Sequence, residues 1–288
     1  MNEIVVILNP AARGEKSKRL WEKIRALSKD AFVHTTREPG EADEFARQAV
    51  QRGCKIVVAA GGDGTVNEVV NGLAGSDAAL GLLPMGTMNV FAAELGLPTN
   101  NLRKCWETIE AGHTRMVDLP MANRQAFVQL AGVGFDAQIV QETDRDFRKQ
   151  FGPLSYLVAA TQIISRPPPK LIVESAGKRR EGSFVLIGNG RYYGGPFVIF
   201  KDAKIDDGKL DVLIFKNLGY LDIARYLSGI VFGKHADLHD VEYFQTRRVV
   251  VRSAASVPVE VDGELIGNVP VTFRMSTRKL KVIAPRLE

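Results

Sequence analysis

The change of apolar period near residue 121 is the feature that most limits how this 288-residue chain can fold. Up to that point strand-like and helix-like stretches alternate. "EIVVILN" is a continuous apolar run, the mark of a buried strand, and "SKRLWEKIRALS" carries Leu20, Ile24 and Leu27 at helical spacing. "AFVHTT" reads as a second strand, and "EADEFARQAVQRG" as a helix that stops at Gly53. "KIVVAA" and a glycine loop lead to a helix with Val66, Val69, Val70 and Leu73 on one face. "AALGLLP", "MGT" and a helix through "NVFAAELG" follow. This alternation predicts an α/β domain whose mostly parallel sheet is covered by helices on both faces. After about Met121 come short β-rich runs: "QAFVQLAGVGF", "KLIVES", "GSFVLIGNG", "FVIF", "KLDVLIF", "RRVVVRS", "VPVEVDGELIG" and "VPVTFRM". Glycine and polar turns separate them, as in an antiparallel β-sandwich or barrel-like domain. One helical stretch, "PLSYLVAATQIIS", interrupts the series and stops at "RPPP", where a helix end suits the prolines better than a polyproline ligand does. "LKVIAP" is a last strand that either domain could hold.

Composition limits the classes of function. With 45% hydrophobic and 25% charged residues the chain reads as an ordinary soluble globular protein, and its length favours two domains. No apolar run approaches the roughly 18 to 20 residues that span a bilayer. "MNEIVVILNP" places Glu3 before a short apolar run and is read as a first strand, not a signal peptide. Cys54 and Cys105 are too few for a disulfide scaffold and suit a reducing cytosol. The net charge of +5 is compatible with an anionic nucleotide, an anionic membrane surface or no partner. Basic clusters at Arg145–Lys149, Lys178–Arg180 and Arg247–Arg248 read as solvated surface. No helix-turn-helix pattern, zinc-finger spacing or aromatic RNA-binding signature accompanies them, so no nucleic-acid partner is expected.

"GGDGT" follows a strand and opens a helix, where backbone N–H groups and the helix dipole favour an anion. Gly61, Gly62 and Gly64 would let a phosphate approach the main chain, and Thr65 and Asn67 add neutral donors. The other reading is a plain glycine turn. A P-loop is excluded because no lysine follows Gly64, and a dinucleotide fingerprint because Asn67 stands where glycine or alanine belongs. "LLPMGTMN" repeats the strand-loop-helix design with Gly86, Thr87 and Asn89, and "NPAARG" would lie on the same sheet edge. Adjacent loops at the carboxyl edge of a parallel sheet form a crevice that binds ligands, which favours a nucleotide over the plain turn.

These loops resemble the nucleotide-binding motifs of the diacylglycerol kinase catalytic domain family, which includes bacterial lipid kinases and sphingosine kinases. The likeness runs through "NP", "VDL" (Val117–Leu119), "GNGRYYGG" (Gly188–Gly195), "DAKIDDGKLDV" (Asp202–Val212) and "VDGE" (Val261–Glu264). It implies a nucleotide-binding α/β domain over residues 1–121, rejoined by a strand within 278–288, and a β-sandwich lipid-substrate domain over 122–277. It further implies that ATP is held by Asn9, Thr36, Gly61, Gly62, Asp63, Gly64, Thr65, Asn67, Gly86 and Thr87. Asp63, with Asp118 in the same acidic network, would help hold a Mg²⁺ ion bridging the phosphates; the metal removes the charge conflict of an acid in a phosphate loop. A structural Mg²⁺ site would map to Asp207 and the carbonyl of Lys209. Two positions depart from the family pattern: Lys204 stands where a further ligand is expected, and Val90 where many relatives have an acid.

"VDGE" alone reads as a preferred Asp-Gly hairpin turn. The resemblance makes Asp262 the general base that takes the lipid hydroxyl proton, with Glu264 supporting it, and a tight turn is compatible with both. His235 and His239, spaced i, i+4 with no third ligand nearby, read as surface residues in a loop. The expected function is an ATP-dependent kinase of a diacylglycerol-like or sphingoid lipid, cytoplasmic and peripheral to the inner membrane face, with a homodimer admitted. "RKQFGPLSYL" is a candidate for membrane contact, weighed against a core helix. NAD kinase shares "GGDGT" but not the downstream motifs, and a catalytically silent nucleotide- or lipid-binding regulator would not need Asp63 and Asp262.

Overall fold

The computed structural model describes residues 4–10, 17–28, 31–142, 163–165, 167–195 and 197–286. The chain divides into two compact units: Met1–Leu119 with Gly194–Pro196 and Ser276–Glu288, and Pro120–Tyr193 with Phe197–Met275.

The first unit is built on β1 (Ile4–Leu8), β2 (Phe32–Thr35), β3 (Ile56–Gly61), β4 (Ala79–Pro84) and β5 (Thr114–Ala122, which runs on into the second unit). Helices α1 (Ser17–Leu27), α2 (Glu41–Gln51), α3 (Asp63–Leu73), α4 (Val90–Glu94) and α5 (Leu102–Ala111) connect them. β1 pairs in parallel with β2 on one side and with β3 on the other, and β3 pairs in parallel with β4. β1, β3 and β4 are buried on both faces, which is why Val5–Leu8 and Val57–Ala60 are continuous apolar runs. The strand order 2-1-3-4 reverses between β1 and β3, so the loops after these strands flank a topological switch point. α2 and α3 pack closely because Gly72 has no side chain: a Cβ there would lie 2.5 Å from the Ala46 Cβ.

The second unit is an antiparallel sandwich. One sheet has the order β14–β13–β10–β7–β16–β17, formed by Val241–Thr246, Leu210–Phe215, Phe184–Gly188, Leu130–Val133, Pro258–Val261 and Glu264–Asn268. The other joins the start of β18 (Val271–Ile283) to β15 (Arg248–Arg252), β8 (Leu171–Ser175) and β9 (Lys178–Gly182). The pairs β5–β6 (Gln125–Ala126) and β11–β12 (Tyr192–Tyr193, Phe197–Val198) are short. Alternate residues of both sheets, among them Val133, Val185, Val212, Val259, Val173, Val251 and Phe273, fill the core between them. A second cluster, with Phe184 stacked on Phe215, takes in α6 (Phe135–Glu142) and α7 (Tyr220–Val231).

The α/β domain followed by an antiparallel β-sheet domain is the expected fold class. Two local readings are corrected. α5, α6 and α7 are helices where the sequence reading put none, although Asn101 capping the Lys104 N–H at 3.1 Å and Gly112 at φ 66 were readable stop and start signals for α5. "VPVTFRM" and "LKVIAP" belong to one 13-residue strand, β18, because the polar stretch between them keeps extended geometry. Near its end Val282 pairs in parallel with Leu80 of β4. "RKQFGPLSYL", the Arg145–Lys149 cluster and most of "PLSYLVAATQIIS" and of "NPAARG" lie outside the described residues.

Candidate active site

In the first unit two glycine loops meet backbone to backbone. β3 ends at Gly61, Gly62 is the extended N-cap of α3, and no side chain caps the helix. A Cβ on Gly86 would lie 2.7 Å from the Gly62 Cα, and one on Gly61 would lie 2.4 Å from Thr65 Oγ1. Gly61 and Gly86 therefore have a packing reason of their own. Asn89 adopts φ 50 and closes its loop on Gly86, accepting the Gly86 N–H at 2.8 Å and donating to its carbonyl at 2.9 Å. Asp63 Oδ1 accepts the Val90 N–H at 2.8 Å, so the acid of one loop caps the helix that leaves the other. An acid in the first turn of α3 also suits the dipole.

The other loop residues fall around this pair. Asn9 follows β1, donates its main-chain N–H to the Ala60 carbonyl at 3.0 Å and its side-chain amide to Thr65 Oγ1 at 3.1 Å. Thr36 follows β2 and its N–H meets the Leu8 carbonyl at 2.9 Å. Gly62, Gly64 and Gly86 are half-buried and Thr87 is exposed, whereas Thr65 and Asn67 are buried. The Asn67 amide is used within α3, where its Oδ1 accepts from Asn71 at 3.1 Å. Asp118, on β5, is buried and ion-paired with Lys279 Nζ at 3.1 Å. Among the described residues no three His, Cys, Asp or Glu side chains gather as a metal cage. Magnesium does not need one, since it usually takes one or two carboxylates plus substrate phosphates.

In the second unit Asp262 and Gly263 form a two-residue turn between β16 and β17, with φ 47 and 86, the double left-handed geometry for which Asp-Gly is favoured. The carboxylate turns back over the start of β7. Oδ1 accepts the N–H groups of Gln129 and Leu130 at 3.0 Å each, and Oδ2 that of Val128 at 2.9 Å. These bonds engage three of about four lone-pair sites and fix the plane of the group. Glu264 is half-buried at the start of β17, opposite Val261.

Several residues around this turn were not picked out from the sequence. Asn189, fully buried, donates to the Val128 carbonyl at 3.0 Å, and Gln129 Nε2 donates to the Tyr192 carbonyl at 2.9 Å. A Cβ on Gly190 would lie 2.5 Å from the Gln129 side chain, and one on Gly188 would lie 2.3 Å from the Phe200 ring. "GNGRYYGG" thus shapes the three-amide segment that holds Asp262. Below the turn, Glu260 Oε2 accepts the Gly263 N–H at 2.7 Å, and Tyr193 donates to Asp136. Burial raises the carboxyl pKa of Asp136, and raises that of Glu260 well above the ordinary range, with Asp136 adding to the effect.

The remaining candidates sit apart from these two groups. Asp207 Oδ1 accepts the Lys209 N–H at 3.0 Å, and Lys209 Nζ is 3.9 Å from Asp207 Oδ2 and 3.2 Å from Gln245 Oε1. Asp211, in the same segment, is fully buried; burial pushes its pKa up, against hydrogen bonds from Tyr243 and Gln245. His235 is not a surface residue. It lies in the 3₁₀ turn His235–Asp237, fully buried, with Nε2 2.6 Å from the Ile199 carbonyl, because Gly229 of α7 lets the turn pack against the helix.

Comparison with known proteins agrees with this architecture. The profile of the diacylglycerol kinase catalytic domain matches residues 3–122, and that of the YegS C-terminal NAD kinase beta sandwich-like domain matches residues 129–284. A diacylglycerol kinase of Bacillus subtilis (strain 168) is 29% identical over 295 residues, covering 99% of this chain and 97% of its own. One of Staphylococcus aureus (strain bovine RF122 / ET3-1) is 30% identical over 291 residues, covering 97% and 91%. A crystal structure of a diacylglycerol kinase from Bacillus anthracis str. Sterne shares the fold, with a TM-score of 0.79 at 24% identity over 99% of this chain and 97% of that one. The class is that of lipid kinases, which are phosphotransferases. Within it, this chain belongs to the diacylglycerol kinase family.

Proposed function

We propose that the chain transfers the γ-phosphoryl group of ATP, with Mg²⁺, to a hydroxyl of a diacylglycerol-like or sphingoid lipid, and that Asp262 is the general base. The observation that carries this reading is the Asp262 carboxylate, clasped by three successive backbone N–H groups at the tip of a hairpin, in a chain of this family. The residues fit a Mg–nucleotide: Gly62 and Gly86 leave the loop backbones bare, the first turn of α3 has no side-chain cap, and Asp63 supplies a carboxylate beside them. When bound, Mg²⁺ neutralises phosphate charge. The backbone N–H groups of the loops orient the phosphates, and Asp63 holds its place through the Val90 N–H. Asp262 accepts the hydroxyl proton, the lipid oxygen bonds to the γ-phosphorus, and ADP leaves with the electrons of the broken P–O bond. Positioning and charge neutralisation supply most of the rate, and a base about 10² to 10⁴.

The acceptor resides in a bilayer, and the outer face of α7 suits contact with one. Leu221, Leu227, Val231 and Phe232 are 86%, 56%, 65% and 74% exposed, with Ala224 and Ser228 completing an uncharged stripe. Lys201 and Lys234 are exposed at its C-terminal end, where a Cβ on Gly233 would lie 3.5 Å from Lys201 Cε. Asp222 and Asp240 are tied to Arg225 at 2.9 and 2.5 Å, and Asp202 and Asp237 are exposed beside the two lysines. An apolar stripe edged by lysines is complementary to an anionic membrane surface. No helix among the described residues is long and apolar enough to cross a membrane.

The test is γ-labelled ATP with Mg²⁺ and a panel of diacylglycerol, sphingoid bases and NAD, run on the wild type and Asp262→Asn. The amide oxygen of the variant keeps two of the three N–H bonds, so it folds with a loss of about 1 kcal/mol and binds ATP, but label transfer falls by at least about a hundredfold. Label on NAD alone overturns the acceptor, and full turnover by Asp262→Asn overturns the base.

A further inference from the structure

Two acids of the second unit, Glu260 and Asp136, have no part in the reaction as proposed, yet both are buried beneath the turn that carries Asp262. We propose that Glu260, joined to Asp136 through a shared proton, is a positioning residue that holds the Asp262–Gly263 turn in its working geometry. The inference rests on the reading of Asp262 as base.

Glu260 and Asp136 meet from different elements. Val259 and Val261 of β16 face the sandwich core, so Glu260 between them faces the opposite side of the sheet. Asp136, in the first turn of α6, brings its carboxyl to the same side. Gly132 of β7 makes the room: a Cβ on it would lie 2.6 Å from Asp136 Oδ2 and 2.8 Å from Glu260 Oε1. Two carboxylates cannot hydrogen-bond to each other without a proton, and two buried charges in contact cannot both be ionised. Glu260 Oε1 is buried with no hydrogen-bond partner, and a proton shared with Asp136 supplies one.

The contacts then form a chain. Tyr193 donates to Asp136, Asp136 shares its proton with Glu260, and Glu260 Oε2 accepts the Gly263 N–H at 2.7 Å. That last bond fixes a turn in which a non-glycine residue, Asp262, sits at φ 47, a geometry unfavourable by roughly 1 kcal/mol or more. Stability alone does not account for the pair, since apolar residues of similar volume would fill the same space at no desolvation cost. Holding the Gly263 amide does account for it. The base needs its carboxylate held to within a fraction of an ångström, and a displacement of about 1 Å can cost about a hundredfold in rate.

The experiment compares Glu260→Ala with Glu260→Gln in the full chain, measuring kcat, KM for ATP and thermal stability. Glu260→Ala frees the Gly263 amide and is expected to lower kcat per folded molecule about ten- to a hundredfold, with KM for ATP unchanged within twofold. Glu260→Gln keeps an acceptor for Gly263 and a donor for Asp136, and restores kcat to within about threefold of the wild type. If Glu260→Ala is unfolded at the assay temperature, Asp136→Leu against Asp136→Asn gives the same comparison from the other side. A Glu260→Ala variant with lowered stability but wild-type kcat overturns the inference, as does a Gln variant as slow as Ala. Should Asp262→Asn retain turnover, the base assignment falls first and this inference with it. Should Asp262→Asn be inactive while Glu260→Ala is not, only the positioning role fails.

Discussion

Three of the acids assigned to the proposed chemistry also have a structural partner. Asp63 caps Val90, Asp118 faces Lys279, and Asp262 gathers the N–H groups of Val128, Gln129 and Leu130. Fixed carboxylates of this kind lose no orientation entropy when substrate arrives. Asp136 and Glu260 behave differently, because burial raises both pKa values, and the proton proposed to be shared between them is one that the unfolded chain releases. An acid with a raised folded pKa contributes stability that is complete below its unfolded pKa and lost as pH rises toward the folded value. From the ordinary carboxylate range upward, wild-type stability should therefore fall relative to Glu260→Gln, with a slope difference of about 1.4 kcal/mol per pH unit for each retained proton. Urea midpoints of the two proteins between roughly pH 5 and 8 check this. Parallel curves would mean that the pair is ionised in the native state.

At the scale of elements, α7 is the helix whose two sides differ most in purpose. Its inner side packs Tyr226, with Ile223 and Ile230, into the second cluster of the sandwich, and its outer side is apolar without a partner strand or helix among the described residues. Replacing Leu221 and Phe232 by serine should weaken partitioning onto phosphatidylglycerol/phosphatidylcholine vesicles by about tenfold or more without lowering the unfolding temperature. Lys201→Gln with Lys234→Gln should weaken it by about tenfold or more on the same vesicles, from about 1 kcal/mol per basic residue, and have little effect on phosphatidylcholine alone. Vesicle cosedimentation and sedimentation velocity decide the matter together. Unchanged vesicle binding, or a change of oligomeric state in the serine variant, removes α7 from the membrane role.

For the molecule as a whole, the glycine loops predict linkage between nucleotide and folding. Mg–ATP at about 100 times its dissociation constant should stabilise the unit that binds it by about 2.7 kcal/mol, seen as a rise in unfolding temperature that NAD does not reproduce. Chelating the metal should remove most of the rise. An equal shift with NAD, or none with Mg–ATP, would exclude the loops as the ATP site.

The division between what was legible in the chain and what was not follows the range of the interactions. The switch from alternating strand and helix to short β runs, the Asp-Gly hairpin and the two strand-loop-helix glycine motifs are local patterns, and backbone propensity sets them within a few residues. So the α/β domain, the antiparallel domain and the glycine loops could be read directly. α5 is written in its caps, Asn101 and Gly112, whereas β18 needs its neighbours to declare one long strand. Nothing local says that Gly86 touches Gly62, that Asn189 shapes the amides around Asp262, or that Gly132 is vacant so that Asp136 can reach Glu260. Those contacts join residues far apart in the sequence, and burial, which makes a shared proton worth holding, is a property of packing. The residue types alone determined which chemistry this chain could attempt; the tertiary structure decided which acid is clasped, which is ion-paired and which is buried away from water.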